Sequence, residues 1–221
     1  GFKIAMRDLS IRGAGNLLGA EQSGFIASVG FDLYSQMLAE EIQKRKVTML
    51  GEQDLKANDW NTTIDLSIDA YLPSDYIYDS IQKIEIYKKV AAVSSFDDIA
   101  ELEDELLDRF GELPEAVVQL MHGARMKLYG KRYGIEQISR QGDDVKLKFH
   151  EGQEKAFDMP KLSDVGNRFE RRVQFNQGST MVIQVKGKGL TDLELLELLS
   201  SFLEGMMESY KLKGELQNVA N

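Results

Sequence analysis

The sequence predicts an α+β fold, in which a mixed or antiparallel sheet is packed with helices and follows an N-terminal helical segment. Polar and apolar residues alternate around Ile64, which is typical of a half-buried strand. Apolar residues then recur at helical spacing in three segments up to about Gly130, and an alternation of period two returns beyond Gly134. Because strands and helices do not alternate one by one, their order argues against a doubly wound parallel sheet.

The bounds of the predicted elements follow from these periods and from the turn and cap residues between them. Pro73 ends the first strand, and Ser74 or Asp75 can cap the first helix. Strands centred near five residues are expected to form the sheet: Ile64, Ile138, Leu147, Val173 and Ile183. The predicted elements are a strand over 62–72, helices over about 74–93, 97–110 and 114–130, strands over 135–140 and 145–150, a short helix over 160–168, strands over 171–175 and 181–185, and a last helix over 193–207.

Composition limits the classes of partner. The chain has 221 residues, 43% of them hydrophobic, which is enough for one substantial core and an appended segment. A net charge of −9 repels phosphate backbones, so any contact with nucleic acid requires a local basic patch. No run of about 18 apolar residues occurs, so a membrane partner is not expected. The absence of cysteine excludes disulfides and is compatible with the cytoplasm, the location we predict.

Three domains are predicted along the chain. Residues 1–46 contain a glycine-rich loop and an amphipathic helix that begins at Phe31. Residues 47–60 have no sustained period and are predicted to be a linker that ends at Trp60, the single tryptophan. Residues 61–221 form the C-terminal domain. Because the chain does not begin with Met, we expect it to be a piece of a larger protein.

The glycine-rich loop is the stretch of the chain most suggestive of a mechanism. Five glycines lie between Asp8 and Phe31, and glycine at this density permits backbone conformations that other residues avoid. The spacing does not match a dinucleotide-binding fingerprint, because Leu18 stands where the third glycine is required. No Gly-Lys-Ser/Thr follows, so the loop is not a phosphate-binding loop either. From the residues alone, a connector with a solvated Arg12 stays an alternative.

Three segments carry a resemblance to known families. The pattern Arg12-Gly13-x-Gly15-x-x-x-Gly19-x-x-Gln22-x-Gly24 resembles the TRG motif, which follows the second motor domain in RecG-type helicases and in the bacterial transcription-repair coupling factors. The run Gly30-Phe31-Asp32-Leu33-Tyr34 and the segment from Leu106 to Pro114, Leu-Leu-Asp-Arg-Phe-Gly-Glu-Leu-Pro, resemble the coupling factors and not the RecG-type enzymes. The chain is thus similar to the C-terminal part of a coupling factor.

This resemblance implies a function for the larger protein. Coupling factors are ATP-dependent DNA translocases that displace stalled RNA polymerase from double-stranded DNA and recruit UvrA through a module resembling UvrB. The resemblance implies that the C-terminal domain is noncatalytic and docks on that module, which masks the UvrA-recruiting face. It also implies that the TRG residues couple ATP hydrolysis to translocation: Arg12, Gly13, Gly15, Gly19, Gln22 and Gly24. ATP and magnesium are expected in the motor domains of the parent, and no cofactor or metal is expected in this chain.

Other functions stay open from the residues alone. The outer face of the helix over 97–110 carries six carboxylates, Asp98, Glu101, Glu103, Asp104, Glu105 and Asp108, which favour a solvated acidic face over a metal or acid–base site because no His, Cys or Asn accompanies them. His122 and His150 lie in different elements, so neither is expected to be catalytic, and a carboxylate-dependent hydrolase lacks a candidate site. A DNA-binding or protein-binding module of another helicase is the remaining alternative. Its candidate basic strip is Lys127, Lys131 and Arg132.

Overall fold

The computed structural model describes residues 61–211. This part of the chain divides into a helical unit, residues 67–128, and a sheet unit, residues 61–66 with 129–211. The six TRG residues, the amphipathic helix predicted to begin at Phe31 and the linker ending at Trp60 lie outside the described residues. The predicted domain boundaries at residues 46/47 and 60/61 stay predictions. None of the helices within residues 61–211 is both long enough and apolar enough to cross a membrane.

Three helices build the helical unit: α1 (Ser80–Ala92), α2 (Phe96–Phe110) and α3 (Glu115–Tyr133), of which the residues up to Leu128 belong to this unit. Local side chains define their ends. At the start of α2, the Ser95 side chain accepts a hydrogen bond from the Asp98 backbone N–H, and the Asp98 carboxylate accepts one from the Ser95 backbone N–H. Gly111, with φ +88°, ends α2.

One apolar core holds the helical unit together. Its members come from all three helices and from the segment that precedes α1. They are Ala70, Leu72, Ile77, Ile86, Tyr87, Val90, Ile99, Leu102, Leu106, Val117, Leu120, Met121 and Ala124, each with at most 6% of its surface exposed. Helical spacing in the sequence predicts four inward residues on α2: Ile99, Leu102 and Leu106 are buried as predicted, and Phe110 is partly buried against this core.

The predicted strand over 62–72 is too long. The strand β1 covers only Thr63–Asp65. Beyond it, buried and exposed residues still alternate up to Leu72, but Ser67 has φ +51°, a conformation that does not continue an extended ladder. The alternation therefore reports burial here and not sheet pairing.

The start predicted for α1 is also wrong. Residues 73–77 form a turn in which the Pro73 carbonyl accepts from the backbone N–H of both Tyr76 and Ile77. The Ser74 hydroxyl accepts from Lys83 Nζ at 2.9 Å, whereas the Asp79 carboxylate accepts from the N–H of Ile81 at 2.8 Å. Asp79 is thus the N-cap of α1, one turn later than the sequence pattern indicates.

The sheet unit contains five strands and two helices among its described residues. After β1 come β2 (Ile135–Gln141), β3 (Asp144–Phe149), β4 (Val173–Gln177) and β5 (Met181–Val185), in the spatial order β1-β2-β3-β5-β4. β1 is parallel to β2 and the other pairs are antiparallel. Helix α4 is Met159–Asn167 and helix α5 is Asp192–Gly205; short 3-10 turns cover Gln153–Ala156 and Met206–Ser209. The predicted α+β fold with a mixed sheet is confirmed.

Apolar contacts join the strands and helices of the sheet unit. Val145, Leu147, Ile183 and Val185 are fully buried on β3 and β5. The ring of Phe202 on α5 lies 6.5 Å from the ring of Phe175 on β4. A second aromatic cluster links α3, β3 and the residues that follow the two 3-10 turns: Tyr129, Tyr133, Phe149, Phe157 and Tyr210, with centroid distances of 5.3–5.9 Å. Burial within this cluster raises the pKa of the Tyr133 phenol, whose hydroxyl donates to the Leu203 carbonyl.

Candidate docking surface

Helices α1 and α2 are joined by a network of four charged side chains. Lys89 Nζ lies 2.6 Å from a carboxylate oxygen of Glu105 and 3.4 Å from one of Glu85. Arg109 Nη1 lies 3.4 Å from Glu85 and 3.6 Å from Glu105. The hydrogen bond to Glu105 raises the pKa of Lys89. Since each side chain is 30–47% exposed, the network contributes modestly to stability.

The segment from Leu106 to Pro114 closes the end of α2. Leu106 is fully buried, and Phe110 contacts Tyr76 edge to face, with ring centroids 5.8 Å apart. The Tyr76 hydroxyl lies 3.1 Å from the Leu106 carbonyl oxygen and 3.0 Å from that of Gly111. The Arg109 guanidinium lies 4.9 Å from the centre of the Phe110 ring. Residues of the segment that carries the family resemblance thus have structural roles here: Leu106 and Phe110 pack inward, and the Tyr76 hydroxyl, from outside the segment, contacts two carbonyls at the helix end.

The carboxylates of α2 divide into two groups. Three have partners: Asp98, which accepts from the Ser95 N–H in the capping box, Glu103 with Arg125, and Glu105 in the charged network. Four others are exposed, and the described part of the chain gives none of them a hydrogen bond or an ion pair: Asp97, Glu101, Asp104 and Asp108. Their spacing of four, three and four residues places them on one face of the helix. We call these four residues the acidic stripe.

The net charge is distributed unevenly. The helical unit, residues 67–128, has 13 Asp and Glu against 6 Lys and Arg, a net charge of −7. The described residues of the sheet unit have 14 against 13, a net charge of −1. The field of the helical unit therefore attracts a cationic surface and repels nucleic acid.

Other candidate chemistry has little support within residues 61–211. No three His, Cys, Asp or Glu side chains are grouped so that they could hold a metal ion. His122 is partly buried on α3, and burial together with the charge of Arg125 lowers its pKa to about 4. A shallow hollow of about 130 Å³ lies beside β3 and β5, but its carboxylate, Asp144, already accepts from Gln184 Nε2 and from the Gly187 N–H.

Of the candidate site residues predicted from the sequence, only the basic ones on α3 lie among the described residues. Arg12, Gly13, Gly15, Gly19, Gln22 and Gly24 lie outside the described residues. Lys127, Lys131 and Arg132 follow one another on α3, where Arg132 Nη1 lies 3.5 Å from Met207 Sδ. The charged network was not predicted from the sequence, although Glu85 with Lys89 and Glu105 with Arg109 have the i,i+4 spacing of helix ion pairs.

The fold and the family comparison define the class of this protein. The TRCF domain family matches residues 66–159, which include α1, α2 and α3 together with β2 and β3. A crystal structure of the C-terminal domain of transcription-repair coupling factor matches with a TM-score of 0.60 and 28% identity, covering 66% of this chain and 92% of that one. The class is therefore a TRCF domain, which is not a motor domain.

Curated relatives identify the family. The chain is 43% identical over 212 residues to the transcription-repair-coupling factor of Bacillus subtilis (strain 168), covering 96% of this chain and 18% of that protein. It is 47% identical over 147 residues to that of Staphylococcus aureus (strain USA300), covering 66% and 12%. The chain belongs to the transcription-repair coupling factor family and corresponds to the C-terminal part of its members. It spans less than a fifth of the length of these relatives.

Proposed function

We propose that this chain is the C-terminal part of an ATP-dependent DNA translocase that displaces stalled RNA polymerase and recruits nucleotide excision repair. Within it, the C-terminal domain, residues 61–221, acts as a noncatalytic, autoinhibitory domain. This domain docks on the UvrB-like module of the same polypeptide and masks the face that binds UvrA. Engagement with polymerase releases the contact. The proposal rests on membership of the family and on the surface of α2.

The acidic stripe is the observation that supports docking. Asp97, Glu101, Asp104 and Asp108 are held on one face of a helix that is fixed at its start by a capping box and at its end by Tyr76. A fixed row of carboxylates is suited to bind a cationic protein surface, because little conformational entropy is lost in ordering the charges on binding. Charge contacts of this kind are strongly salt-dependent, which suits a contact that must open.

The test neutralises the acidic stripe in the full-length protein. The variant Asp97→Asn/Glu101→Gln/Asp104→Asn/Asp108→Asn is expected to bind UvrA at least tenfold more tightly than the wild type, because the masking contact is weakened. A control variant, Asp65→Asn/Asp143→Asn/Glu151→Gln/Glu197→Gln, changes the net charge equally at exposed carboxylates of the sheet unit and should bind UvrA like the wild type. Equal UvrA affinity for the stripe variant and the wild type would overturn the proposal.

For the TRG motif we propose a separate role in coupling. Arg12 offers a planar fork that can hold carboxylates or carbonyls in one state of the motor and lose them in the other. Gln22 can both donate and accept, and the glycines between them permit the loop to bend. In the alternative, Arg12 only caps the preceding helix. Arg12→Ala in the full-length protein should abolish displacement of stalled polymerase while ATP hydrolysis continues. Unchanged displacement would rule out the coupling role.

A further inference from the structure

Two large apolar side chains project into solvent at the start of α1. Tyr78 is 88% exposed and Ile81 is 78% exposed. They lie on either side of Asp79, whose carboxylate caps the helix. Among the described residues, only Leu107 is a further large apolar side chain that is exposed, and it is 49% exposed. Since Tyr78 and Ile81 leave more than three quarters of their surface in water, the core of the helical unit does not require them.

The charged network relates the position of this pair along α1 to the end of α2. Ile81 lies one helical turn before Glu85, and Glu85 contacts Arg109 at the end of α2. Arg109 directly follows Asp108, the last residue of the acidic stripe. The pair is therefore level with the C-terminal end of α2, close to where the stripe ends.

The surroundings of the pair specify the chemistry of a partner. Asp75 and Asp79 are exposed on the segment that carries Tyr78. The helical unit as a whole has a net charge of −7. An aromatic and an aliphatic side chain within an acidic border match a protein surface with an apolar depression bordered by Lys and Arg. A lipid surface of anionic headgroups would be repelled by the same charges.

We propose that Tyr78 and Ile81 are the apolar anchor of the docking contact made by the acidic stripe, and that they insert into a cation-bordered apolar depression elsewhere in the same polypeptide. Chain length as well as charge favours a partner surface within the same polypeptide, because the chain accounts for only 18% of the Bacillus subtilis relative and most of such a polypeptide lies outside it. The inference rests on the docking function proposed above. In this contact the acidic stripe attracts and orients the cationic surface, and Tyr78 and Ile81 form the buried centre of the interface.

A photo-crosslinking experiment in the full-length protein tests this assignment. Benzoylphenylalanine replaces Tyr78, and in a matched control it replaces Ala92, an exposed residue at the other end of α1. On irradiation, position 78 is expected to crosslink to a peptide of the same polypeptide outside residues 1–221, with at least fivefold higher yield than position 92. Adding Ile81→Ser to the position-78 protein should lower that yield. Crosslinks only between copies, no crosslink, or equal yields at both positions would overturn the inference.

A second variant separates this inference from the docking function itself. Tyr78→Ser/Ile81→Ser should unfold like the wild type, because both side chains are exposed, yet bind UvrA at least fivefold more tightly. If the stripe variant increases UvrA binding and the Tyr78→Ser/Ile81→Ser variant does not, the anchor assignment fails while the docking function stands. If neither variant increases UvrA binding, the docking function fails, and the anchor assignment that rests on it fails as well.

Discussion

Replacing Gly130 by alanine tests how closely helix α3 approaches the strand at the start of the sheet unit. In an exposed helix interior this change stabilises a protein by about 1 kcal/mol, because alanine is the better helix former. At Gly130, a β-carbon would lie 2.3, 2.6 and 2.7 Å from Oγ1, Cγ2 and Cβ of Thr62. The Cβ of Thr62 cannot rotate away, so the backbone of one element must shift.

The magnitude follows from two costs set against that gain. Forcing an extra methyl group into a packed site costs about 1–3 kcal/mol. Displacing Thr62 also breaks the hydrogen bond from its hydroxyl to the Ile135 carbonyl, now 2.8 Å, which costs about 1 kcal/mol. Because Thr62 is 2% exposed, water cannot replace that bond. We therefore expect Gly130→Ala to lower the free energy of unfolding by about 1–3 kcal/mol.

The assay is urea unfolding followed by far-ultraviolet circular dichroism, with a double-mutant cycle as the control. Thr62→Gly removes all three clashing atoms, so Gly130→Ala should be neutral or stabilising in that background, with a coupling energy of at least about 1 kcal/mol. A Gly130→Ala protein as stable as the wild type, or a coupling energy near zero, would refute the close approach.

Three further substitutions test single features of the helical unit. Tyr76→Phe should cost about 0.5–1.5 kcal/mol in urea unfolding, since two carbonyls at the end of α2 lose their partner, while Tyr78→Phe should be neutral. Glu105→Gln should cost at most about 1 kcal/mol, and the loss should shrink in 0.5 M salt; a salt-independent loss would contradict an ionic origin. His122 has a pKa of about 4 when folded and about 6.5 when unfolded, so the unfolded chain takes up the proton first and stability falls as the pH drops through that window. His122→Gln should reduce this loss of unfolding free energy by on the order of 1 kcal/mol, a value that already allows for the partial exposure of the side chain. An unchanged dependence of the unfolding free energy on pH would contradict a buried neutral imidazole.

Local chemistry determined much of the fold directly from the sequence. Ser95 with Asp98 and Thr191 with Glu194 form capping boxes at the starts of α2 and α5, because each box closes within four residues whatever packs around it. The hairpin of β2 and β3 follows from two alternating runs joined at Gly142, which has φ +63°. The acidic face of α2 is likewise local, since helical spacing alone puts its carboxylates together. The role of the TRG residues stays a prediction.

Tertiary contacts determined which residues pair with one another across the fold. β1 is parallel to β2 through pairs such as Ile64 with Ile138, and no pattern near Ile64 specifies a partner more than seventy residues away. Lys83, a residue of α1, donates a hydrogen bond to the Ser74 hydroxyl, and Asp79 is the N-cap of the helix. Lys89 and Arg109 neutralise Glu105 but not Asp104, so the division between paired and available carboxylates depends on how α1 lies against α2. Periodicity specifies which face of an element is apolar, whereas a partner across the fold depends on geometry that only the packed chain provides.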